Sequence, residues 1–443
     1  MDYKIKKTDG KTEWFIKDRF GMFIHFGLYS LLARHEWIRT TEKIADDKYD
    51  GYLEYFNPDM FDAKEWAKKA KKAGMKYAVL TAKHHEGFCM FNSKYTDYSV
   101  INTPFGRDVV GEYVKAFRDE GLKVGIYYSL IDWHHSDFPI DVIHPHRDDG
   151  KLLDKGRDIK KYNEYVRNQV SELLTNYGKI DILWFDFSYP NPSPEFVKKM
   201  FSFDKEHPTP DVYPKDWMQY NGGKGKDEYE SERLIKMIRE INPEIILNDR
   251  ADIPQDIFTP EQCLPEYWMK DKDTGEYLTW EACHTFSGSW GYYRDEMTWK
   301  SPRMLLSLLI KSVSTGGNLI MNVGPTGRGC FDFRADNALE VFEKWMKYNG
   351  KAIYGCTMAD ECFVAPKNTI LTQSNDGKRL YLHLIDYPFG NLSMPSLSGK
   401  IKYAQFLQDA SEIIFSDKDE NCVFNLPTVL NVQEIPVIEV FLK

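Results

Sequence analysis

Short apolar runs alternate with amphipathic segments from the start of the chain to about residue 350. The runs that predict strands are GMFIHFG, KYAVLTA, KVGIYYS, IDILWFDF, EIILND, the segment around TWEACHTF, and GNLIMNVGP. A nearly continuous apolar run such as KYAVLTA is typical of a strand buried on both faces of a parallel sheet. The pattern therefore predicts an α/β fold.

The segments between these runs carry apolar residues at helical spacing. In DAKEWAKKAKKAG, Asp62 and Glu65 stand at capping-box spacing and Gly74 ends the helix. Its apolar stripe consists of Ala63, Trp66, Ala67, Ala70 and Ala73. Further helices are predicted at DVVGEYVKAFRDEG, residues 158–177, SERLIKMIREI, PRMLLSLLIKSVST and residues 336–348. Strands and helices in this order favour a (β/α)8-like barrel, complete or irregular, over a doubly wound sheet.

The helical period disappears beyond residue 352. Short alternating runs such as KRLYLHLID and PVIEVFLK follow, and they predict a C-terminal β-sandwich. We therefore expect two domains, a barrel over residues 1–350 and a β-sandwich over residues 351–443. A polar insertion rich in Pro and Gly interrupts the barrel pattern at residues 188–225.

Composition excludes several classes of protein. The 58 basic and 67 acidic residues give a net charge of −9, and no basic stripe is present, which disfavours nucleic acid as a partner. No window approaches eighteen uninterrupted apolar residues, and no apolar stretch follows the basic start of the chain. We expect no membrane partner and a cytoplasmic location, unless a leader has been removed. The seven cysteines show no CxxC spacing, which argues against a disulfide framework and a structural zinc site.

Polar side chains stand at the ends of nearly all the predicted strands. In a barrel of this kind, these positions and the loops after them form the active site. The strand-end residues are His25, Lys83, His84, His85, Glu86, Tyr127, Tyr128, Trp184, Asp186, Asn248, Asp249, Arg250 and Asn322.

Asp186 is the most informative of these residues. It follows ILWF, so its carboxylate is expected among large apolar groups, where an ionised group is costly unless it is paired or has a function. An ion pair with Arg250 would explain it, and such a pair is compatible with a nucleophile because a neighbouring Arg favours the ionised form.

Cleavage of a glycosidic bond needs a second carboxyl group to protonate the leaving oxygen. Glu261, Glu266 and Glu281 all follow the strand that carries Arg250. Order along the chain does not choose among them.

The histidine pairs allow two interpretations. Within a strand, adjacent residues point to opposite faces, so His84 and His85 do not have the spacing of a metal site. Beyond the strand end, both rings can turn into one pocket, where neutral imidazoles offer one donor and one acceptor each to sugar hydroxyls. The pair His134 and His135 has either the same role or a place in a surface loop.

Several motifs, in the right order between residues 14 and 350, resemble those of glycoside hydrolase family 29, the retaining α-L-fucosidases. They are GMFIHFGLYS, HEW, KYAVLTAKHHEGFCMFNSKYTDYSV, RDVVGEYVKAFRDEGLKVGIYYS, ILWFDF, ILNDR, TPEQ, WEACHTF with SWGY, and GGNLIMNVGPTGRG. The resemblance implies an irregular catalytic barrel with a C-terminal β-sandwich. It also implies hydrolysis of terminal α-L-fucose from fucosylated oligosaccharides or glycoconjugates, with no metal and no organic cofactor.

The resemblance also assigns roles. Asp186 matches the nucleophile, and Glu261 of TPEQ best matches the acid/base, with Glu281 as second choice. The residues that match positions around the sugar are His25, Glu36, Trp37, His84, His85, Tyr128, Trp184, Arg250 and Trp290. For a retaining pair we expect the two carboxyl groups about 5–5.5 Å apart in a closed state.

Two features depart from the family pattern. NDRADIPQD lacks the aromatic residue often found after the arginine, and the insertion at residues 188–225 is longer than the usual connection. An insertion there would cover the aglycone side of the pocket. The alternatives to an exo-acting retaining α-L-fucosidase are a non-catalytic fucose-binding barrel and a metal-dependent hydrolase that uses the histidine pairs.

Overall fold

The computed structural model of the protein describes residues 10–149, 153–189, 223–418, 420–430 and 434–443. Its first sheet contains the parallel strands β1 Phe20–Ile24, β2 Tyr77–Lys83, β3 Lys123–Ser129, β4 Ile182–Asp186, β5 Ile246–Leu247, β6 Glu281–Thr285 and β7 Asn318–Val323. The order across the sheet is β5-β4-β3-β2-β1-β7-β6. The predicted strands are confirmed, although β5 is much shorter than the run EIILND.

The edge strands β5 and β6 are joined by residues 257–261, here called the closing segment. It makes isolated parallel bridges at Asn248–Ile257, Phe258–Trp280 and Glu261–Cys283. Pro260 lies inside this segment and has no N–H to donate to a ladder, so the contact remains a set of bridges. The curled sheet therefore closes into the irregular (β/α)8-like barrel that the sequence predicts.

Helices lie around the barrel and at its ends. They are α1 Glu13–Asp18, α2 Tyr29–Leu32, α3 Ile38–Thr41, α4 Asp46–Asp50, α5 Ala63–Lys72, α6 Val109–Asp119, α7 Ile159–Thr175, α8 Ser231–Ile241, α9 Pro302–Ser314 and α10 Phe333–Asn349. The predicted cap of α5 is present, because the Asp62 side chain accepts from the backbone N–H groups of Lys64 and Glu65. Gly74 follows with φ +88°, a conformation that glycine adopts without strain.

The barrel interior is filled by side chains from the strands, the closing segment and helix α1. This cluster contains Phe15, Phe23, Tyr77, Val79, Tyr127, Ile182, Trp184, Ile246, Ile257, Cys283 and Ile320. Since the barrel is packed rather than hollow, a ligand can enter only from its ends.

Antiparallel strands follow the barrel, as predicted. They are β8 Cys356–Met358, β9 Thr369–Ser374, β10 Arg379–Leu384, β11 Asn391–Ser393, β12 Ile401–Phe406, β13 Phe415–Lys418, β14 Asn421–Asn425 and β15 Val437–Leu442. They form one sheet in the order β12-β15-β10-β9-β8 and another in the order β11-β14-β13. One apolar cluster contains residues of both sheets, including Leu382 of β10 and Phe424 of β14, so the sheets pack as a β-sandwich.

Arg19 connects the barrel with this sandwich. Its side chain is fully buried. Nε donates to the carbonyl of Cys356 at 2.9 Å, and Nη1 donates to the carbonyl of Gly316 at 2.8 Å. Trp345 of α10 adds a second link by donating from Nε1 to the carbonyl of Ile435 at 2.8 Å. The main apolar cluster likewise continues from the barrel helices into Tyr381 and Val437.

Most of the predicted insertion, residues 190–222, lies outside the described residues. Its flanks are described, and Tyr189 N donates to the carbonyl of Lys224 at 2.8 Å. None of the helices in the described ranges combines the length and apolar character needed to cross a bilayer.

Candidate active site

A cavity of about 960 Å³ opens at the carboxyl ends of the barrel strands. Its wall consists of Phe23, His25, His35, Trp37, Thr41, His84, His85, Tyr127, Trp184, Asp186, Phe187, Ser188, Tyr189, Asp249, Arg250, Asp252, Glu261, Gln262 and Trp290. Active sites of such barrels lie at this end. Most of the predicted site residues are therefore brought together in one place.

Asp186 is the last residue of β4 and only 9% exposed. Arg250 donates from Nη1 to Oδ1 at 2.9 Å, and the Tyr127 hydroxyl donates to Oδ2 at 2.8 Å. Burial raises the pKa of Asp186 above its usual value, and the charge of Glu261 raises it further. The Arg250 guanidinium and the Tyr127 hydrogen bond both lower it, but only in part. The result is a fixed, poorly solvated carboxylate whose ionised form has two specific donors.

Arg250 contacts both candidate catalytic carboxylates through one nitrogen. Nη1 donates to Asp186 Oδ1 at 2.9 Å and to Glu261 Oε2 at 2.7 Å. These two oxygens are therefore no farther apart than the sum of the two distances, which is shorter than the about 6.5–9.5 Å of inverting pairs. The neighbouring carboxylates outweigh burial and hold the pKa of Arg250 well above its usual value, so the guanidinium stays charged.

Two further contacts fix the Arg250 side chain. Nε donates to Thr259 Oγ1 at 3.0 Å, and Nη2 donates to the Thr259 carbonyl at 3.1 Å. The guanidinium also lies over the ring of Trp184, 4.6 Å from its centroid. Arg250 is therefore held by the closing segment on one side and by the cavity floor on the other.

Among the three candidate glutamates, only Glu261 lies in the cavity wall. Its side chain is 41% exposed, which leaves it accessible to a bound ligand and to water. Glu266 is exposed but lies outside the wall. Glu281 is fully buried at the first residue of β6, the end opposite the cavity, where the Tyr77 hydroxyl donates to it. Burial raises the pKa of Glu281 to about 8.

The tautomers of two wall histidines are set by their neighbours. Asn322 donates from Nδ2 to the Trp290 carbonyl at 2.6 Å, so its Oδ1 is the acceptor that faces His25 Nδ1 at 2.6 Å. His25 therefore carries its proton on Nδ1. Burial lowers the pKa of His25 well below its usual value, so the ring is neutral.

His85 follows the same logic. Ser129 Oγ donates to the Ile131 carbonyl at 2.8 Å, so it accepts from His85 Nδ1 at 2.7 Å. The unprotonated Nε2 lies 3.9 Å from Asp186 Oδ2. Because burial also lowers the pKa of His85 well below its usual value, His25 and His85 each keep Nε2 as a hydrogen-bond acceptor.

The structure corrects the prediction that Tyr128 contacts the sugar. Tyr127, not Tyr128, lies in the cavity wall and binds Asp186. Tyr128 points to the opposite face of β3, where its hydroxyl donates to Gln169 Oε1 at 2.8 Å. Successive side chains of a strand alternate between faces, so only one tyrosine of YYS can reach the cavity.

Glu36 and Trp37 were both expected at the sugar, and the structure separates them. Trp37 lies in the wall, with its ring centroid 5.1 Å from that of His85. Glu36 is buried behind the wall and accepts from the Gly291 backbone N–H at 2.7 Å. It holds the loop that carries Trp290, so the structure places it one layer away from the cavity.

Aromatic rings form the apolar part of the wall. Phe23 lies between Trp184 and Trp290, with ring centroids 5.1 Å and 5.9 Å away. Such rings offer flat apolar faces to the carbon skeleton of a sugar, while the polar side chains around them bind hydroxyl groups.

Sequence reasoning missed part of the wall. Phe187, Ser188 and Tyr189 directly follow Asp186 and flank the insertion, and this position after a strand end was the available signal. Asp252 and Gln262 carry positive φ angles of 59° and 52° in the loops around the closing segment, which the local sequence does not announce.

The pair His134 and His135 lies outside the wall, in a structural setting. Both backbone N–H groups donate to Asp132 Oδ1, at 3.0 and 2.9 Å. The His134 ring stacks on Tyr98 with centroids 3.7 Å apart. In the described parts of the chain, no group of three or more His, Cys, Asp or Glu side chains is arranged to hold a metal ion.

Comparison with known proteins agrees with this geometry. The family model described as alpha-L-fucosidase matches residues 2–351. The tissue alpha-L-fucosidase of Homo sapiens is 29% identical over 376 residues, which cover 77% of this chain and 68% of that protein. An alpha-L-fucosidase of Dictyostelium discoideum is 26% identical over 373 residues, or 77% of this chain and 71% of that protein.

Solved structures show the same similarity over the full chain. Alpha-L-fucosidase isoenzyme 1 from Paenibacillus thiaminolyticus superposes with a TM-score of 0.85 and 40% identity, covering 98% of this chain and 99% of that one. A family 29 alpha-L-fucosidase from Bacteroides thetaiotaomicron, trapped as a covalent intermediate with 2-fluoro-fucosyl fluoride, has a TM-score of 0.77 and 27% identity, with 100% of both chains covered.

Proposed function

Since the chain belongs to the alpha-L-fucosidase family, we propose that Asp186 is the nucleophile and Glu261 the acid/base of its reaction. The activity is hydrolysis of α-L-fucosides with retention of configuration at the anomeric carbon. One observation carries the assignment of roles: Arg250 Nη1 contacts both carboxylates at the mouth of one cavity.

The reaction proceeds in two displacements. An Asp186 oxygen forms a bond to the anomeric carbon while the bond to the leaving oxygen breaks, and Glu261 gives that oxygen its proton. Water then attacks the anomeric carbon, Glu261 takes a proton from it, and the bond to Asp186 breaks. The exposure of Glu261 suits both steps, because Glu261 exchanges a proton with the leaving group in the first and with water in the second.

The rest of the wall binds a terminal fucose. His25, His84 and His85 present ring nitrogens to hydroxyl groups, while Trp184 and Trp290 pack against the sugar carbons. The floor is closed by the packed barrel interior, so the sugar enters with its anomeric carbon toward the mouth. This favours exo-action on fucosylated oligosaccharides or glycoconjugates.

The alternative of a non-catalytic fucose-binding barrel is not favoured. A binding protein does not need two carboxylates held by one guanidinium. A buried Asp186 without a catalytic role would only destabilise the folded protein. For a metal-dependent hydrolase, the two histidine pairs do not form one ligand set, because His84 and His85 lie in the cavity wall whereas His134 and His135 lie outside it.

The test of the nucleophile is Asp186→Asn on an aryl α-L-fucoside. We expect turnover to fall by about 10⁴-fold or more, because the amide cannot form the covalent intermediate. Asp252→Asn is the matched control, since Asp252 also lies in the wall but receives no hydrogen bond from Arg250. Wild-type turnover in Asp186→Asn would overturn the assignment.

The test of the acid/base compares leaving groups. Glu261→Gln should lose about 10²–10⁴-fold on a fucoside with a poor leaving group and much less on an activated aryl fucoside, because only the poor one needs the proton. Glu266→Gln serves as the control from the same stretch of chain. Equal activity of Glu261→Gln and wild type on both substrates would exclude the role.

A further inference from the structure

Two buried polar groups face each other at the cavity, one in its wall and one behind it. His84 Nδ1 and Glu86 Oε2 are 3.5 Å apart. Within the described part of the chain, neither His84 Nδ1 nor either oxygen of Glu86 has a hydrogen-bond partner of ordinary geometry. Buried polar groups are seldom left without partners, so this pair needs an explanation.

The His84 ring is fixed by its aromatic neighbours. It stacks on Tyr127 with centroids 5.6 Å apart and an interplanar angle of 15°, and it meets the edge of Tyr29 at 5.2 Å. Since Nδ1 is turned toward Glu86 and the residue lies in the wall, Nε2 is the nitrogen available to a ligand. A neutral imidazole carries a single proton, so Nε2 is protonated only if Nδ1 accepts a hydrogen bond instead of donating one.

The environment of Glu86 favours its protonated form. The carboxyl group is fully buried, which raises its pKa to about 8, whereas the backbone N–H groups of Glu86 itself and Leu28 and the charge of Arg39 oppose this rise. The nearby charge of Asp132 adds to it. The other titratable groups that face this carboxyl are the hydroxyls of Tyr29, Tyr49 and Tyr98, all held neutral by burial.

His84 is the neutral partner of this acid. Burial lowers its pKa to about 4, although the charges of Glu36 and Asp186 oppose the shift. Near neutral pH the pair therefore consists of one O–H donor and one ring nitrogen that can accept. A hydrogen bond from the Glu86 carboxyl to His84 Nδ1 supplies both unpartnered groups at once, because it gives the acid O–H an acceptor and the ring nitrogen a donor.

We propose that Glu86 is a positioning residue that donates to His84 Nδ1 and thereby keeps the proton of His84 on Nε2, as a donor to a fucose hydroxyl. This inference rests on the proposed function of the cavity. It makes three of the wall histidines unequal, because His25 and His85 present acceptors whereas His84 presents a donor. A hydroxyl group can donate and accept, so two ring acceptors and one ring donor fix the direction in which each fucose hydroxyl points its hydrogen.

A pH dependence of sugar binding follows. As pH rises through about 8, the Glu86 carboxyl loses its proton and becomes an acceptor only. It then attracts the proton of His84 to Nδ1, and Nε2 becomes an acceptor. Fucose loses one donor, so its affinity should fall by about tenfold, the equivalent of one hydrogen bond.

The experiment is competitive inhibition by L-fucose between pH 6 and pH 9.5. In the wild type the inhibition constant should rise by about tenfold with a midpoint near pH 8, whereas in Glu86→Gln it should stay flat, because the amide donates at every pH. Glu86→Leu, which cannot donate, should bind fucose more weakly than Glu86→Gln at pH 6.5. A flat wild-type profile, or the same rise in Glu86→Gln, would overturn the proposal.

Glu281 is the control for a second buried carboxyl with a pKa near 8. Because it lies at the opposite end of the barrel, Glu281→Gln should keep the wild-type rise of the inhibition constant. If the inhibition constant stopped rising in Glu281→Gln but still rose in Glu86→Gln, the titrating group would be Glu281, and the proposal would be overturned.

A second measurement needs no variant. In protein with ¹⁵N-labelled histidine, the assigned ring signals of His25 and His85 should show the proton on Nδ1, and those of His84 should show it on Nε2, at pH 6.5 with L-fucose bound. The same tautomer in His25, His84 and His85 would overturn the inference. These measurements follow binding, so they are independent of the Asp186→Asn test, and either proposal can fail alone.

Discussion

At the scale of single residues, the site is organised around Arg250. One nitrogen contacts both carboxylates, and the remaining nitrogens are held by Thr259. Asp186 has a second donor in Tyr127, on its other oxygen. The ionised form of Asp186 is thus stabilised from two sides, by a charge and by a neutral hydroxyl.

Removal of the neutral donor should change the pH profile. The Tyr127 hydrogen bond lowers the pKa of Asp186, so Tyr127→Phe should raise that pKa. As the proposed nucleophile, Asp186 must be ionised, so activity should be lost as pH falls through its pKa. The acidic limb of kcat/KM should therefore move to higher pH, and kcat should fall by about tenfold.

Tyr128→Phe is the matched control, because its hydroxyl binds Gln169 on the opposite face of the strand. Its acidic limb should coincide with that of the wild type. An unchanged limb in Tyr127→Phe, or an equal shift in both variants, would contradict the prediction.

These two tyrosines also show the limit of sequence reasoning at this scale. The motif YYS predicted that one tyrosine reaches the site, but the choice depends on the rotation of β3 about its axis. Tyr127 and Tyr128 are both fully buried, and they are the same residue type, so the sequence shows no alternation of polar and apolar residues that would identify the inward face. Glu36 was misplaced for a similar reason, because its backbone partner at Gly291 lies more than 250 residues away.

At the scale of elements, the strands and helices with strong periodicity were predicted well. The helix α5 begins at its predicted cap, and β2 is buried along its whole length. The closing segment was not predicted as part of the barrel. It contains Pro260, pairs only through isolated bridges, and has no apolar alternation of its own, so its place is set by the strands on either side.

The start of β7 illustrates how tightly this region is packed. A Cβ at Gly317 would lie 2.2 Å from the ring of Trp280, which is fully buried and bridges to the closing segment. Gly317→Ala should destabilise the protein by about 1–3 kcal/mol through overpacking. The measurement is urea unfolding followed by tryptophan fluorescence.

Gly51→Ala is the control for this prediction. No atom lies within 4 Å of a Cβ at that position, and its φ of −58° suits any residue. It should leave the midpoint unchanged or raise it slightly, because alanine loses less entropy on folding than glycine. A Gly317→Ala midpoint equal to that of Gly51→Ala would contradict the overpacking argument.

At the scale of the whole molecule, the barrel and the sandwich share a core. The main apolar cluster runs from the barrel helices into Tyr381 and Val437, and Arg19 binds carbonyls on both sides of the junction. The sequence predicted both parts from the change in periodicity near residue 352. It did not predict this junction, because a buried Arg that bonds only to distant backbone carbonyls and an amide leaves no local pattern.

We expect Arg19→Met to destabilise both parts together. The substitution leaves the carbonyls of Gly316 and Cys356 buried without their donor, at a cost of about 3 kcal/mol. Scanning calorimetry should show one transition at a lower temperature. Arg294→Met is the control, since Arg294 is largely exposed and pairs with its neighbour Asp295, and it should change the transition little.

Two well-separated transitions in the wild type would contradict the shared core. A transition of Arg19→Met at the wild-type temperature would contradict the role of the arginine.

The closing segment has a consequence for how such a protein diverges in evolution. Asp186 stands on β4, which pairs with β3 on one side and with β5 and the Asn248 side chain on the other, whereas Glu261 stands on the closing segment, which pairs only through isolated bridges. We expect substitutions in the closing segment that keep Thr259 and Glu261 to change which aglycones are accepted and to leave the pocket around Asp186 intact. New glycan preferences can therefore arise at one side of the barrel mouth while Asp186 and its strand are inherited unchanged on the other.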